Sequence, residues 1–363
     1  MAEFEGKQER IRALLMEHGL DALLLQRVSS FAWATCGRAS YVHRASSTGE
    51  ASLLITPAGR YVITNNIEGP RLEQEEGLVE QGWELVAGSW YEPQVAVAQL
   101  TQGLRLGVDG PYAGATDLSG EMARVRANLT AEEGERFRTV GRLCAQAMES
   151  AVRAVRPGQT EYEIASLLAR EGERRGVQVT VNLIATDQRI FNYRHPLPTG
   201  KEMERYAMLV LCARRWGLVA SITRLVHFGP LPDELRRKAE AVAEIDAVFI
   251  AASQPGKRLG QVLEQATAAY AATGFPDEWQ LHHQGGPAAY EPREYVATPG
   301  STDVVLSGQA YAWNPSITGT KSEDTVLVSD TRYEVITDIE DWPSLEVEVH
   351  GKTHRRPAIL EIV

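Results

Sequence analysis

The run from Trp279 to Tyr295, W-Q-L-H-H-Q-G-G-P-A-A-Y-E-P-R-E-Y, places imidazoles, carboxylates, a guanidinium, phenols and a Gly-Gly pair within one short stretch. Charge beside a buried imidazole alters the cost of ionising it, so this mixture suits proton movement. His282 and His283 are adjacent, so in an extended segment they point to opposite faces and one of them faces a given pocket. Gly285 and Gly286 allow a sharp turn or a close approach of backbone to a ligand. Glu291, Arg293 and Glu294 then supply charge, with Tyr290 beside them. A polar loop closed by salt bridges would use the same residues without any chemistry.

Three further stretches carry reactive side chains. In R-I-F-N-Y-R-H-P-L-P-T, from Arg189 to Thr199, His195 lies between Arg194 and Pro196. The proline biases His195 toward an extended backbone, which is one way to fix an imidazole. Between Trp216 and Arg224, Ser221 and Thr223 share one face of a strand and Arg224 takes the other. From Tyr311 to Asp324, the chain offers Asn314, Lys321, Glu323 and Asp324, and a turn at Gly319 folds the segment so that Asn314 approaches Glu323. An incidental loop histidine and a half-buried sheet with solvent-facing hydroxyls are the plainer readings.

The elements that must hold these residues follow from periodicity. Ile11, Leu14, Leu15 and Leu20 give a helical stripe that stops near Gly19, before the strand-like residues 22–25. Strands at 52–56 and 61–64 are joined by a tight turn, and shorter apolar runs at 84–86 and 104–108 complete an α/β domain with a mixed sheet. A boundary falls near Asn128. Thr130 then caps a long helix that ends at Pro157-Gly158, and Thr160 with Glu163 has capping-box spacing for a second. Strands at 177–184, 207–213 and 217–224 and helices at 232–252 and 260–273 segregate in groups, an α+β layout.

Composition narrows the function classes. A chain of 363 residues, 44% of them hydrophobic, has material for two cores. Net charge is -11, with 48 acidic against 37 basic residues, which argues against a general nucleic-acid binder. The N-terminus is charged, and no uninterrupted apolar run is long enough to span a bilayer, so a cytoplasmic protein without membrane contact is expected. Cys36, Cys144 and Cys212 are scattered and read as structural thiols. No glycine loop has phosphate-binding spacing.

In order and spacing these pieces resemble the family of creatinase, prolidase, aminopeptidase P and methionine aminopeptidase. The resemblance covers nearly the whole chain: L-D-A-L-L-L near the start and S-L-L-I-T-P-A-G-R-Y-V-I-T are similar to the creatinase-type N-terminal domain. It implies an α+β fold, with a creatinase-like α/β domain over 1–128 and a pita-bread domain over 129–363. Anchored on Thr223-Arg224, it places the family's two metal-binding aspartates on Val210 and Ser221. The ligand histidine falls on Gly286, the two ligand glutamates on Asn314 and Glu323, and the later His-Glu pair on Arg293-Glu294, while an earlier glycine-loop histidine matches His282. Only Glu323 keeps a carboxylate. A dinuclear site needs several anionic oxygens, so the altered resemblance implies a chain with no metal ligands and no cofactor, nearer to metal-independent creatinase.

His195 matches the loop histidine that serves as acid and base in creatinase. The leading expectation is therefore a metal-independent hydrolase of the creatinase type that cleaves a C–N bond in a small polar compound. In it His195 deprotonates water and then protonates the leaving nitrogen, while Glu323 with Arg293 or Arg224 orients the substrate. His282, His283, Glu294, Asn314, Ser221 and Tyr290 complete the substrate-binding set. Arg38, Tyr41 and Arg44 lie where creatinase-like dimers lend residues to a neighbouring pocket, which implies a homodimer and a grip on an anionic group. Two alternatives stand beside this: a metal-dependent Xaa-Pro aminopeptidase or dipeptidase-like peptidase, and an inactive pita-bread protein that binds a ligand or a protein.

Overall fold

A computed structural model describes residues 2–92 and 95–363, which divide into two units, Met1–Ala127 and Asn128–Val363. In the N-terminal unit, helix α1 (Ala2–Glu17) buries Phe4, Ile11, Leu14 and Leu15. The chain turns at Gly19, whose φ of 62° is one that glycine adopts without strain, into β1 (Ala22–Arg27). There follow α2 (Val28–Ala34), β2 (Thr48–Ile55), β3 (Arg60–Asn65), α3 (Gly69–Gln74), β4 (Glu84–Gly88), α4 (Ala96–Leu100), β5 (Leu106–Val108), β6 (Thr116–Asp117) and α5 (Ser119–Ala127). The sheet order is β4-β3-β2-β1-β5-β6. Pairs β1–β2 and β2–β3 are antiparallel and the other three are parallel, so the sheet is mixed as the sequence pattern suggests.

The C-terminal unit opens with two capped helices. Thr130 and Thr160 each accept a hydrogen bond from the backbone N–H three residues on and donate their own backbone N–H to the Glu133 and Glu163 carboxylates, so α6 (Ala131–Ala154) and α7 (Glu161–Glu173) both start on complete capping boxes. Next come β7 (Gln178–Thr186), the short α8 (Gln188–Asn192), β8 (Tyr206–Arg215), β9 (Leu218–Phe228), α9 (Asp233–Ala252) and α10 (Leu259–Ala272). After a 3-10 turn at Glu278–Leu281, the remaining elements are strands: β10 (Gly285–Ala288), β11 (Ala310–Trp313), β12 (Ser316–Ile317), β13 (Thr320–Lys321), β14 (Asp324–Val328), β15 (Tyr333–Val335), β16 (Ser344–Val349), β17 (Lys352–Pro357) and β18 (Leu360–Ile362).

Two four-stranded sheets, β18-β9-β8-β7 and β10-β11-β14-β15, carry the core. They are stitched where Thr223 pairs with Glu323, its N–H donating to the Glu323 carbonyl at 3.1 Å. One step along, the Ser221 N–H donates to Thr325 Oγ1 at 2.8 Å, and that hydroxyl donates back to the Ser221 carbonyl at 2.9 Å. Helix α6 packs on β8 and β9, and α9 lies against α10 and the β16–β17 hairpin. The apolar centre beneath the second sheet includes Phe249, Tyr270, Tyr311 and Trp313, with Phe249 and Trp313 stacked at 4.6 Å between ring centres. Among the described residues, no helix is long and apolar enough to cross a membrane.

Buried charge locks the end of the chain to this core. Arg356 on β17 donates to Asp246 at 2.8 Å and to Asp324 at 2.7 Å, and Arg224 donates to the other oxygen of Asp324 at 2.9 Å. Burial pushes the Asp246 carboxyl pKa upward despite the Arg356 charge, so loss of that arginine would leave two buried carboxylates sharing what remains. Arg356→Met is therefore expected to destabilise the C-terminal unit by about 3 to 5 kcal/mol, read from its urea transition. A change under about 1 kcal/mol would show that the network adds little to folding.

Candidate active site

The loop that carries His195 leaves β7 through Asp187, whose carboxylate accepts backbone N–H groups from Glu204, Arg205 and Tyr206 and the ammonium of Lys201. Glu161, the first residue of α7, spans the loop. Its buried carboxylate accepts from the backbone and hydroxyl of Thr186, the guanidinium of Arg189, and the backbone and hydroxyl of Thr199. Arg194 then donates to Glu278 at 2.5 Å and to Thr318 at 3.0 Å, tying the loop to the 3-10 turn just before His282 and to the β12–β13 hairpin. Beyond the turn, the Gln284 side chain holds the carbonyls of Trp279 and His282 and accepts from Tyr270 at 2.9 Å.

These ties bring three imidazoles together. Ligating nitrogens of His195, His282 and His283 all lie within 4.8 Å of one another. Nε2 of His195 and Nε2 of His282 are 2.9 Å apart, and the His282 and His283 rings are 4.5 Å apart between centres. Adjacent histidines were expected to face opposite ways. Here both rings reach His195, because alternation sets the direction of Cβ and leaves a two-torsion side chain free to bring its ring round. His282 is buried, while His195 and His283 are exposed. Burial, with the positive charge of Lys321, lowers the His282 pKa to about 2, and burial with the Arg293 charge lowers that of His283 to about 4. Burial and Lys321 lower His195 as well. Each of the three rings thus favours its neutral form more than a free imidazole does, and the buried Nδ1 of His282 has no hydrogen-bond partner.

Beside the imidazoles sits a second charged group. Glu323 accepts from Arg293 at 2.8 Å through one oxygen, and from Lys321 at 2.8 Å and the Thr223 hydroxyl at 2.5 Å through the other. Burial alone would raise its pKa, but Lys321 and Arg293 hold it well below the usual carboxylate range. Arg293 also donates to the Ser221 hydroxyl at 3.1 Å, and Cys212 Sγ lies 3.2 Å from that same hydroxyl. Val210 pairs with Thr223 across β8 and β9, so the positions that the resemblance marks for metal-binding aspartates do face this cluster's row of the sheet. Asn314 precedes the short β12–β13 hairpin, its Oδ1 buried without a partner. Gly286 pairs with Ala312 and is packed so closely on the Tyr295 carbonyl that a side chain at 286 would collide with it.

The other candidates are placed differently. Arg224 takes the opposite face of β9 from Thr223 and is spent on Asp324. Tyr290 donates to Glu133 on α6 at 2.6 Å, and Glu294 accepts from the Tyr290 backbone at 2.9 Å, so both brace the turn that presents Arg293. Arg38 and Arg44 belong to the N-terminal unit, between α2 and β2. Lys321 and Glu161 had no assigned role in the sequence. A charged residue in a predicted hairpin next to Glu323 was the available signal for Lys321, whereas Glu161 reads locally as first-turn helix charge.

The profile of metallopeptidase family M24 matches residues 135–330. The chain belongs to metallopeptidase family M24. Among solved structures, the Xaa-Pro dipeptidase from Bacillus anthracis is similar over 99% of this chain and 100% of that one, with a TM-score of 0.80 at 19% identity. The prolidase from Pyrococcus horikoshii OT3 is similar over 92% of this chain and 99% of its own, with a TM-score of 0.77 at 16% identity. At such identities the likeness is one of fold: an N-terminal α/β domain followed by a pita-bread domain. The agropine synthesis cyclase of Rhizobium rhizogenes is 30% identical over 154 residues, a match that spans 39% of either chain.

Membership of M24 and the imidazole cluster correct the expectation of a metal-independent, creatinase-type chain with a degraded metal site. That expectation searched the inherited positions, found Val210, Ser221, Gly286 and Asn314, and took their chemistry as the loss of any site. The three histidines form a candidate ligand set next to those positions instead, which also revises the expectation of no metal ligands. Neutral imidazole is the form that ligates a metal, and three nitrogens are a donor set suited to one zinc-like ion, unlike the oxygen-rich pair of sites in the inherited pattern.

The loop anchor gives a pH-dependent expectation. Burial acts to raise the Glu161 pKa, but hydrogen bonds from Arg189, Thr199 and Thr186 outweigh it and leave the folded value lowered. A lowered carboxylate pKa contributes stability that is present in full above the unfolded value, 4.5, and is lost as pH falls from there through the folded value. The difference in thermal stability between the parent and Glu161→Gln should be largest near neutral pH and should shrink below that value. A gap that widens on acidification would contradict this reading.

Proposed function

We propose that the C-terminal unit hydrolyses a C–N bond in a small polar compound with the help of one divalent metal ion held by His195, His282 and His283. The convergence of three imidazoles, one of them with a buried and unpartnered nitrogen, is the observation that carries this reading. A bound ion at that place supplies Lewis-acid polarisation of a carbonyl and lowers the pKa of water. The chain's own residues do the remaining work. Glu161 and the Arg194–Glu278 pair fix the loop and the turn from which the imidazoles project. Asn314 Oδ1, buried without a partner, is free to accept an N–H from an amide of the substrate. Glu323 is held ionised by its two cationic partners, so it anchors charge and is not poised to exchange a proton near neutral pH.

Likeness in fold to an Xaa-Pro dipeptidase and a prolidase makes short peptides with proline after the scissile bond the first substrates to try. The partial match to a cyclase favours a second reading, in which the same site closes a ring within its substrate. Hydrolytic ring opening and the reverse closure use the same groups. Chromatography of products from lactams and their open forms separates the two. A small-molecule substrate, a cytoplasmic location and a homodimer belong to the same proposal, and light scattering should then give about twice 40.0 kDa.

Elemental analysis of protein purified with zinc and without chelator should find close to one ion per chain. Chelation should abolish turnover, and readdition of the ion should restore it. His282→Ala should lower bound zinc at least about tenfold. Full zinc retention in His282→Ala, or turnover that survives complete metal removal, would overturn the metal assignment.

A further inference from the structure

A cavity of about 560 Å³ opens in the C-terminal unit between the end of α9, the β14–β15 turn and the β16–β17 turn, and none of its lining residues belongs to the imidazole cluster or to the group around Glu323. That volume suits a small organic molecule. Its lining divides by chemistry. Ile250, Val328 and Val349 are buried and form an apolar face. Arg332 and Lys352 are exposed and, among the described residues, neither cation has an ion-pair partner. Asp330 is the acid beside them, so one positive charge is left over. His350 also lines the cavity, with a φ of 52° in the two-residue turn between Val349 and Lys352.

The rings of Tyr333 and His354 complete the lining, stacked within 7° of parallel, with the Tyr333 hydroxyl 2.8 Å from His354 Nδ1. His354 is only 3% exposed, yet its Nε2 has no hydrogen-bond partner. Burial favours the neutral ring, although the Val349 backbone acts the other way. If the hydroxyl donates to Nδ1, the neutral ring keeps an unused N–H at Nε2, and if Nδ1 donates, the hydroxyl proton is the unused one. Either arrangement leaves a donor for which the fold supplies no acceptor, a costly omission in a buried pair. The Ser253 hydroxyl, by contrast, is spent, since it donates to the Phe249 carbonyl and accepts from Trp313.

We propose that this cavity is a second ligand site, which binds a small organic monoanion with a flat apolar body, of the kind an aromatic carboxylate presents. The body lies against Ile250, Val328 and Val349, and the anionic group takes charge-assisted bonds from Arg332 and Lys352. It also gives the Tyr333–His354 pair the acceptor that the fold withholds. Asp330 cancels one of the two cationic charges, so a monoanion matches the site better than a dianion. A bare anion would leave the apolar face in water, and a neutral amide would leave the cations without a counterion.

The test titrates the full chain calorimetrically with cinnamate, with its neutral counterpart cinnamamide and with acetate. Cinnamate should bind, and the other two should each bind at least about tenfold more weakly. The double variant Arg332→Gln/Lys352→Gln should lose at least about tenfold in cinnamate affinity with unchanged circular dichroism, and Asp330→Asn should gain affinity. Tyr333→Phe keeps the stacked ring and is safer for folding than a change at His354, and it should weaken cinnamate. Absence of cinnamate binding, equal binding of cinnamate and cinnamamide, or parental affinity in the folded double variant would overturn the proposal. His282→Ala locates the ligand and separates this site from the metal assignment. Parental cinnamate affinity in His282→Ala supports the cavity, whereas loss there with binding kept in the double variant would put the anion at the imidazoles and overturn it.

Discussion

Glu323 is the residue on which the C-terminal unit turns. Its backbone pairs with Thr223 and so fastens one four-stranded sheet to the other. Its side chain, almost wholly buried, holds two cations and a hydroxyl drawn from three different segments of the chain. A carboxylate so deep would cost several kcal/mol if left alone. Here the requirement runs in the other direction too, because Arg293 and Lys321 would repel each other without it. The junction of the sheets and the electrostatics of the site are one interaction.

That coupling explains why the imidazoles favour their neutral form. Positive charge next to an imidazole opposes its protonation, and loss of water around the ring adds to the effect. Where the resemblance places acids, this chain has Val210, Ser221 and Asn314, and the charged side chains that lie close to Glu323 are Arg293 and Lys321. Neutral imidazoles bring no countercharge, so nitrogen donors leave the positive charge of Arg293 and Lys321 to act on whatever they bind. At Gly286 the Tyr295 carbonyl stands where a Cβ would be, so no side-chain ligand fits at that position without a shift of backbone.

Much of the architecture was legible from local pattern. Thr130 and Thr160 announce their helices through the spacing to Glu133 and Glu163, and both capping boxes form. The turn at Gly319 does separate β12 from β13, with Ser316 opposite Lys321. The histidine cluster was not legible in that way. His195 and His282 are 87 residues apart, and the ties that bring them together, Glu161 to Thr186 and Thr199 and Arg194 to Glu278, join segments whose nearness no periodicity records. Inherited motif positions also misdirected the reading, since a motif says where ligands used to be and nothing of donors that gather alongside. The β16–β17 hairpin was not expected although Leu345, Val347 and Val349 alternate with Glu346 and Glu348 on β16, because its second strand, K-T-H-R-R-P, has no apolar alternation to pair with it.

The Arg356 network has a consequence for how the protein is made. Asp246, Asp324 and Arg224 are all translated before the arginine that neutralises the pair of carboxylates. Asp324, the first residue of β14, follows Glu323 directly, so the sheet junction and the buried network occupy adjoining residues. Until residue 356 has been made, Asp324 has Arg224 but Asp246 has no guanidinium partner and only the Ser322 hydroxyl to donate to it. The C-terminal unit is thus fastened, like a clasp, by a residue that follows its candidate site in the chain.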